Sequence, residues 1–197
     1  MVETKLSLQN VTRDDWLRLR KTGLGGSDAG AVCGLNPYSS PLQIFHDKTT
    51  EEVQDHDNES MRQGRDLEEY VAKRFMEETG KKVRRSNFMY RSEKHPFMIA
   101  DVDRLIVGED AGLECKTANA YNADKWKDGK IPAHYIIQCH HYMAVTGKKS
   151  WYIAVVILGQ EFKYAKISWD DEMIRDLITV EENFWKNHIL TGIAPKP

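Results

Sequence analysis

Over residues 60–79 apolar and polar positions alternate with a helical period. Gly64, Glu68, Val71 and Phe75 fall at i, i+4, i+7 and i+11, one face of a helix, and Gly80 stands where a helix stops. Glu68 is therefore on the inward stripe. Glu69 lies four residues from both Arg65 and Lys73, as an exposed ion pair would. A glutamate on the inward stripe serves a site or pairs with an interior arginine. Over residues 96–117 the period shortens to that of strands. Two apolar runs flank a Gly- and Asp-rich turn at 108–112, the pattern of a β-hairpin. Side chains alternate faces along a strand, which puts Asp101 with Asp103 on one side and Glu114 with Lys116 on one side.

The remaining pattern predicts a helix capped by Thr12 that stops before Gly23, and a second entered through Gly25-Gly26, capped by Ser27 and running to about Gly34. A third starts at Ser40-Pro41 and runs to about Lys48. Residues 49–59 read as a polar surface loop, 82–91 as one or two strands with a basic exposed side, and 118–131 as a loop. A helix follows from Pro132 to Gly147, then an apolar strand at 150–158 and an alternating one at 161–168. An amphipathic helix over 170–190 closes the chain. This order gives an α/β sandwich with a central mixed sheet flanked by helices. One domain is expected over 1–197, with a core at 13–190 and tails at 1–12 and 191–197.

Composition narrows this picture little. A hydrophobic share of 41% with 29% charged residues is that of an ordinary globular protein. Cys33, Cys115 and Cys139 lie far apart, which argues against a zinc or iron–sulfur site and offers no disulfide framework. No signal peptide or membrane-length apolar run is present, so the cytoplasm is the expected compartment. A net charge of −2 does not announce a nucleic-acid binder. Acidic residues gather at 47–59 and 170–182 and basic ones at 81–91 and 125–130, so any DNA surface is local.

The candidate chemistry lies in the hairpin. Carboxylates brought together across it suit Mg²⁺ or Mn²⁺, and a lysine beside them suits an attacking water or a phosphate oxygen. A solvated charged pair explains the same residues. However, charges set among Met98, Ile99, Leu105, Ile106, Val107 and Leu113 are costly to bury without a metal or partner. A helix N-terminus entered through glycines binds anions, although an unoccupied cap is the commoner fate of such turns; Arg20 nearby favours a phosphate pocket with Ser27. Tyr121, Lys125, Trp126, Lys127 and Lys130 suit a nucleic-acid backbone with stacked bases; a solvated loop anchored by one buried Trp fits as well. Adjacent His140 and His141 point about 100° apart on a helix and cannot ligate one metal from one face.

With Glu68, Asp103, Glu114 and Lys116 in place, the chain resembles the PD-(D/E)XK nuclease superfamily, with its restriction-endonuclease-like core. More narrowly it resembles the YqaJ-like viral recombinases, the lambda-exonuclease-like phage alkaline exonucleases. The likeness runs from about Arg13 to Ile189. It rests on Gly25-Gly26-Ser27-Asp28-Ala29, Gly34-Leu35-Asn36-Pro37-Tyr38, the segment from Met61 to Glu68, His95-Pro96-Phe97-Met98, Leu113-Glu114-Cys115-Lys116-Thr117, and the segment from Gln138 to Thr146.

The resemblance implies metal ligands at Asp103, Glu114, Glu68 and the backbone carbonyl of Cys115, with Lys116 catalytic. It implies a 5′-phosphate pocket at Arg20 and Ser27, and DNA contact through Gln138, to which the loop reading adds Lys125, Trp126 and Lys127. The implied activity is Mg²⁺-dependent 5′-to-3′ digestion of one strand at double-stranded DNA ends, Mn²⁺ substituting, to leave 3′ single-stranded tails. A homotrimeric ring and a single-strand annealing protein are the implied partners, in the cytoplasm of a bacterial host. Two alternatives stay open, an endonuclease of the same fold and a non-catalytic DNA-end-binding protein. Where relatives tend to read Asn-Pro-Asp-Gly, this chain reads Asp101-Val102-Asp103-Arg104, which leaves Asp101, on the face of Asp103, as a second candidate for the metal.

Overall fold

A computed structural model describes residues 3–53, 55 and 57–196. Met1, Val2 and Pro197 of the expected tails, and Gln54 and His56 of the acidic loop, lie outside the described residues. Helix α1 (Arg13–Lys21) begins behind Thr12, whose hydroxyl accepts from the Asp15 amide. Helix α2 spans Gly26–Val32 and α3 spans Pro41–Thr49, the latter capped by Ser40. Helix α4 (Glu59–Thr79) ends at Gly80, whose φ of 69° is left-handed backbone that a side chain disfavours. Two sheets follow. Strands β1 (Glu3–Ser7), β3 (Phe88–Ser92) and β4 (Ile99–Asp101) form the smaller, so the expected N-terminal tail contributes a strand.

The larger sheet has the order β2-β5-β6-β7-β8, from β2 (Val83–Arg85), β5 (Arg104–Ile106), β6 (Ala111–Ala118), β7 (Ser150–Ile157) and β8 (Glu161–Ser168). Strands β6 and β7 run parallel and the other pairs antiparallel, the mixed sheet that the element order predicts. A 3₁₀ segment (Ala120–Gly129) and helix α5 (Ala133–Thr146) make the crossover that a parallel pair requires. Helix α6 (Asp171–Phe184) runs on through a π turn (Trp185–Ile189). One apolar cluster joins α2, α5 and α6 to the sheets. A second, around Val71, Phe75, Leu113 and Tyr152, seats α4.

The hairpin departs from its expected form at both ends of its first strand. The run breaks at Val102 and Asp103, and β4 and β5 belong to different sheets. Asp101 and Asp103 are therefore not neighbours on one strand face. The turn falls at residues 107–110, because Gly112 is already sheet. A Cβ on Gly112 would lie 2.2 Å from the Trp151 ring, so packing and not turning requires glycine there. Ser27 is likewise not the cap of α2. Gly25 holds that place, and Asp28 Oδ2 accepts from its amide at 2.8 Å.

His141 and Glu181 hold α5 to α6 in the interior. His141 Nδ1 meets Glu181 Oε1 at 2.7 Å while Nε2 meets the Ile99 carbonyl at 2.8 Å. Burial alone would lower the histidine pKa, but the Glu181 charge raises it. Because removing one partner of a buried pair strands the other, Glu181→Ala should cost about 3–5 kcal/mol, read as a lower midpoint in urea unfolding.

Candidate active site

Four elements converge on one buried polar cluster. Strand β6 points Glu114 and Lys116 to the same side, and Lys116 Nζ meets Glu114 Oε1 at 2.5 Å. Helix α5 adds Gln138, whose Nε2 donates to Glu114 Oε1 at 2.8 Å and to the Tyr142 hydroxyl at 2.7 Å. The junction between β4 and β5 brings Asp103, whose Oδ2 accepts from the Cys115 amide at 2.8 Å. Glu114 is only 3% exposed, and its Oε2 is buried without a hydrogen-bond partner. Burial holds the Asp103 carboxyl well above the usual range, and the charges of Glu114 and Glu68 add to this. Burial opposes the charged form of Lys116 too, but there the charges of Glu114, Tyr135 and Asp103 and the bond to Glu114 together outweigh it and the pKa rises. The ammonium also sits 4.6 Å from the centroid of the Tyr135 ring.

Helix α4 presents Glu68 toward this cluster, but a guanidinium holds it. Arg104, 3% exposed, bonds Glu68 Oε1 through Nη1, donates from the same nitrogen to the Asp103 carbonyl at 2.8 Å, and meets Glu69 through Nη2 at 2.9 Å. Glu69 is thus tied to Arg104 and Arg85 and not to Arg65 or Lys73. Among the described residues no group of three or more His, Cys, Asp or Glu side chains stands ready to hold a metal ion. What the cluster does offer fits a hard divalent cation: the carboxylates of Asp103 and Glu114 close together, the second buried with one oxygen orphaned.

A cleft of about 580 Å³ is lined in part by Trp16, Arg20, Ser27, Tyr38 and Lys48. Arg20 Nη2 donates to Ser27 Oγ at 3.0 Å, so the residues of the expected phosphate pocket do meet. Asp28 lies beneath them, 2.7 Å from Lys48 Nζ. Burial alone would raise its pKa, but Lys48 and Arg20 bring it below the ordinary carboxylate range. Asp101, the second carboxylate considered for the metal, is instead bonded to Trp16, a residue of this cleft. Its Oδ2 accepts from Trp16 Nε1 at 2.6 Å, and the Arg20 guanidinium lies 5.0 Å from the Trp16 ring centroid.

The 3₁₀ segment is anchored by Trp126, 5% exposed and stacked on Tyr135 at 5.7 Å between centroids. The expected stacking of a base on Trp126 is corrected: the ring is a core residue. Lys127 is paired with Asp124, whereas Lys125 points its ammonium over the Tyr38 ring.

The sequence matches the model of the YqaJ-like viral recombinase domain over residues 15–149. The chain belongs to that family. YqaJ of Bacillus subtilis (strain 168) is 43% identical over 188 residues, which are 94% of this chain and 59% of that one. The chain thus spans under two thirds of its curated relative. Among solved structures, the alkaline exonuclease LHK-Exo of Laribacter hongkongensis superposes with a TM-score of 0.75 at 21% identity, covering 88% of this chain and 91% of that one. The same enzyme has been solved with dAMP. A phage-related exonuclease of Haemophilus somnus 129PT gives 0.64 at 13% identity, over 90% of this chain and all of that one. At these identities the likeness establishes the fold, a PD-(D/E)XK-like α/β core. In this YqaJ-like chain several site neighbours escape sequence reading. Arg104 has one signal, a lone arginine inside an apolar run. Lys48, Trp16 and Tyr142 have none.

Proposed function

We propose that this chain is a divalent-metal-dependent exonuclease that digests one strand of duplex DNA from the 5′ end. The observation that carries the reading is the Asp103–Glu114 pair with Lys116 against it, in which the buried Glu114 keeps one oxygen without a protein partner. Asp103, Glu114 and the Cys115 carbonyl would hold Mg²⁺ or Mn²⁺, joined by Glu68 once it leaves Arg104. The cation would supply Lewis acidity at the scissile phosphate and a more acidic water. Lys116 places a compact positive charge where a water is oriented or phosphate charge develops. Gln138 fixes the Glu114 carboxylate by its amide, and Tyr142 fixes Gln138 in turn.

Arg20 and Ser27 supply direction. A guanidinium and a hydroxyl side by side favour a dianionic terminal phosphate over an internal diester. Phosphodiester chemistry needs no base readout, so weak sequence preference follows. The products would be 3′ tails for recombination through a single-strand annealing protein. A homotrimeric ring with its basic residues turned to the DNA is the assembly we infer. Among the described residues no helix is long and apolar enough to cross a membrane, and the bacterial cytoplasm is the compartment we infer.

The test uses linear duplexes labelled at the 5′ or 3′ end, with and without a 5′ phosphate, beside a closed circular duplex, all with and without Mg²⁺. Cleavage of the circle would favour an endonuclease; no metal-dependent release from any substrate would leave a DNA-end-binding protein. Wild type should digest 5′-phosphorylated ends roughly ten- to a hundred-fold faster than 5′-hydroxyl ends, the worth of one charge-assisted contact. Arg20→Ala should erase most of that ratio. Equal initial rates on both ends in wild type would remove the pocket from the mechanism.

A further inference from the structure

Tyr38 is 68% exposed, yet its backbone is firmly pinned. Its amide donates to Asn36 Oδ1 at 2.9 Å, and the amides of Leu35 and Asn36 both donate to the Gly30 carbonyl, at 2.9 and 3.1 Å. An aromatic ring held out into solvent on a fixed loop leaves its apolar face in water with no core burial in return. Its position suggests what it meets instead. Tyr38 lines the cleft that holds Arg20 and Ser27. On its other side its ring stands edge-on to His134 at 6.3 Å, His134 lies 4.0 Å from Tyr135, and Tyr135 is the ring beneath Lys116. A chain of rings thus joins the candidate phosphate pocket to the candidate hydrolytic lysine, and Tyr38 is its solvent-facing member. Lys125 Nζ, 5.8 Å from the Tyr38 centroid, adds a charge suited to a nucleotide backbone beside that ring.

We propose that Tyr38 is the platform on which the terminal base of the strand being cut stacks once it has parted from its complement. The proposal rests on the nuclease reading above and adds a nucleobase subsite to it. A terminal nucleotide gripped by its 5′ phosphate at Arg20 and Ser27, with its 3′ phosphate presented to Lys116, has its base beside the span between the two sites. Tyr38 occupies that span. Stacking tolerates every base, so the subsite holds the nucleotide without reading it, as an enzyme that digests any sequence requires. The hydroxyl of Tyr38 has no part in this; the ring face does.

A double-mutant cycle tests it by binding. The substrate is a 5′-phosphorylated duplex with a mismatched 5′-terminal nucleotide, either normal or abasic, and affinity is measured by fluorescence anisotropy in EDTA so that nothing is cut. Tyr38→Ala should weaken binding of the normal end about ten- to a hundred-fold, the usual loss for one stacked base. Removing the base should weaken wild type by a similar factor, and the two losses together should hardly exceed either alone. Tyr38→Phe should bind as wild type does, while Tyr38→Leu, of similar bulk without a π face, should behave as Tyr38→Ala. Losses that multiply, equal binding of normal and abasic ends by wild type, or a Leu variant as good as Phe would overturn the proposal. Digestion of the same duplex by wild type on adding Mg²⁺ is scored separately, and its failure counts against the nuclease reading and not against Tyr38.

Discussion

Asp103→Asn should abolish cleavage and yet make the metal-free protein more stable. The carboxamide oxygen still accepts from the Cys115 amide, so the junction between β4 and β5 keeps its hydrogen bond. What disappears is a charge lodged beside Glu114 and Glu68. Burial raises the folded-state pKa of Asp103 above its unfolded value, and those two carboxylates raise it further. Between the two pKa values the native state therefore binds more protons than the unfolded chain. The protonated carboxyl's contribution to stability is complete below the unfolded pKa and is lost as pH rises through the folded one. Wild type without metal should melt lower at pH 8 than the Asn variant, and the gap should close toward pH 4.

Addition of Mg²⁺ or Mn²⁺ should raise the melting temperature of wild type and leave the variant nearly unmoved. Its cleavage rate should fall roughly a thousand-fold or more, equivalent to about 4 kcal/mol of lost transition-state stabilisation. Thermal scans across pH, paired with end-labelled digestion, check both halves. A variant less stable than wild type at pH 8 would mean that Asp103 is a structural carboxylate.

Lys116→Ala should also cost activity, roughly a hundred- to a thousand-fold as for loss of one preorganised charge at the reacting phosphate, but with the opposite effect on stability. Without the ammonium, Glu114 retains only the Gln138 amide, and a buried carboxylate without its cation is destabilising. The folded-state pKa of Lys116 is raised above its unfolded value, so the contribution of its pairing is complete below the unfolded pKa, neutral pH included, and is lost as pH rises from there through the folded one. Metal affinity, read by calorimetry with Mn²⁺, should not fall, because the lysine neutralises a carboxylate that would otherwise bind the cation more strongly. Lys116→Arg should not rescue the rate. A planar fork does not replace a compact ammonium above the Tyr135 ring. Full activity in Lys116→Ala would leave the pair an ordinary buried salt bridge.

Much of the fold was legible because it depends on local rules. The period of residues 60–79, the glycines at 80 and 147 and the capping hydroxyls of Thr12 and Ser40 act within a turn of chain, and the helices end where they direct. Strand alternation likewise sufficed to bring Glu114 and Lys116 to one side. The break at Val102 and Asp103 was not legible, because an unbroken apolar run says nothing about which of two sheets each half joins. Nor could loop composition tell which aromatic is buried: Trp126 is interior and Tyr121, 97% exposed, is not. Register placed Glu68 inward but could not show that Arg104 would take it, since the two are 36 residues apart in sequence and meet only across the packed sheet.

Helix α2 lies directly on α5, and the closeness of that contact has a mechanical meaning. A Cβ on Gly26 would come within 2.5 Å of the Tyr142 ring, and one on Gly30 within 2.8 Å of His134. Ser27 rides on α2, and Tyr142 steadies Gln138 and through it Glu114. On the proposed chemistry the first position holds the end of the strand and the second faces the bond to be broken. The separation between them is the length of the fragment released. Two helices too close to slide make that length a fixed stride, measured by a glycine against a tyrosine before each cut.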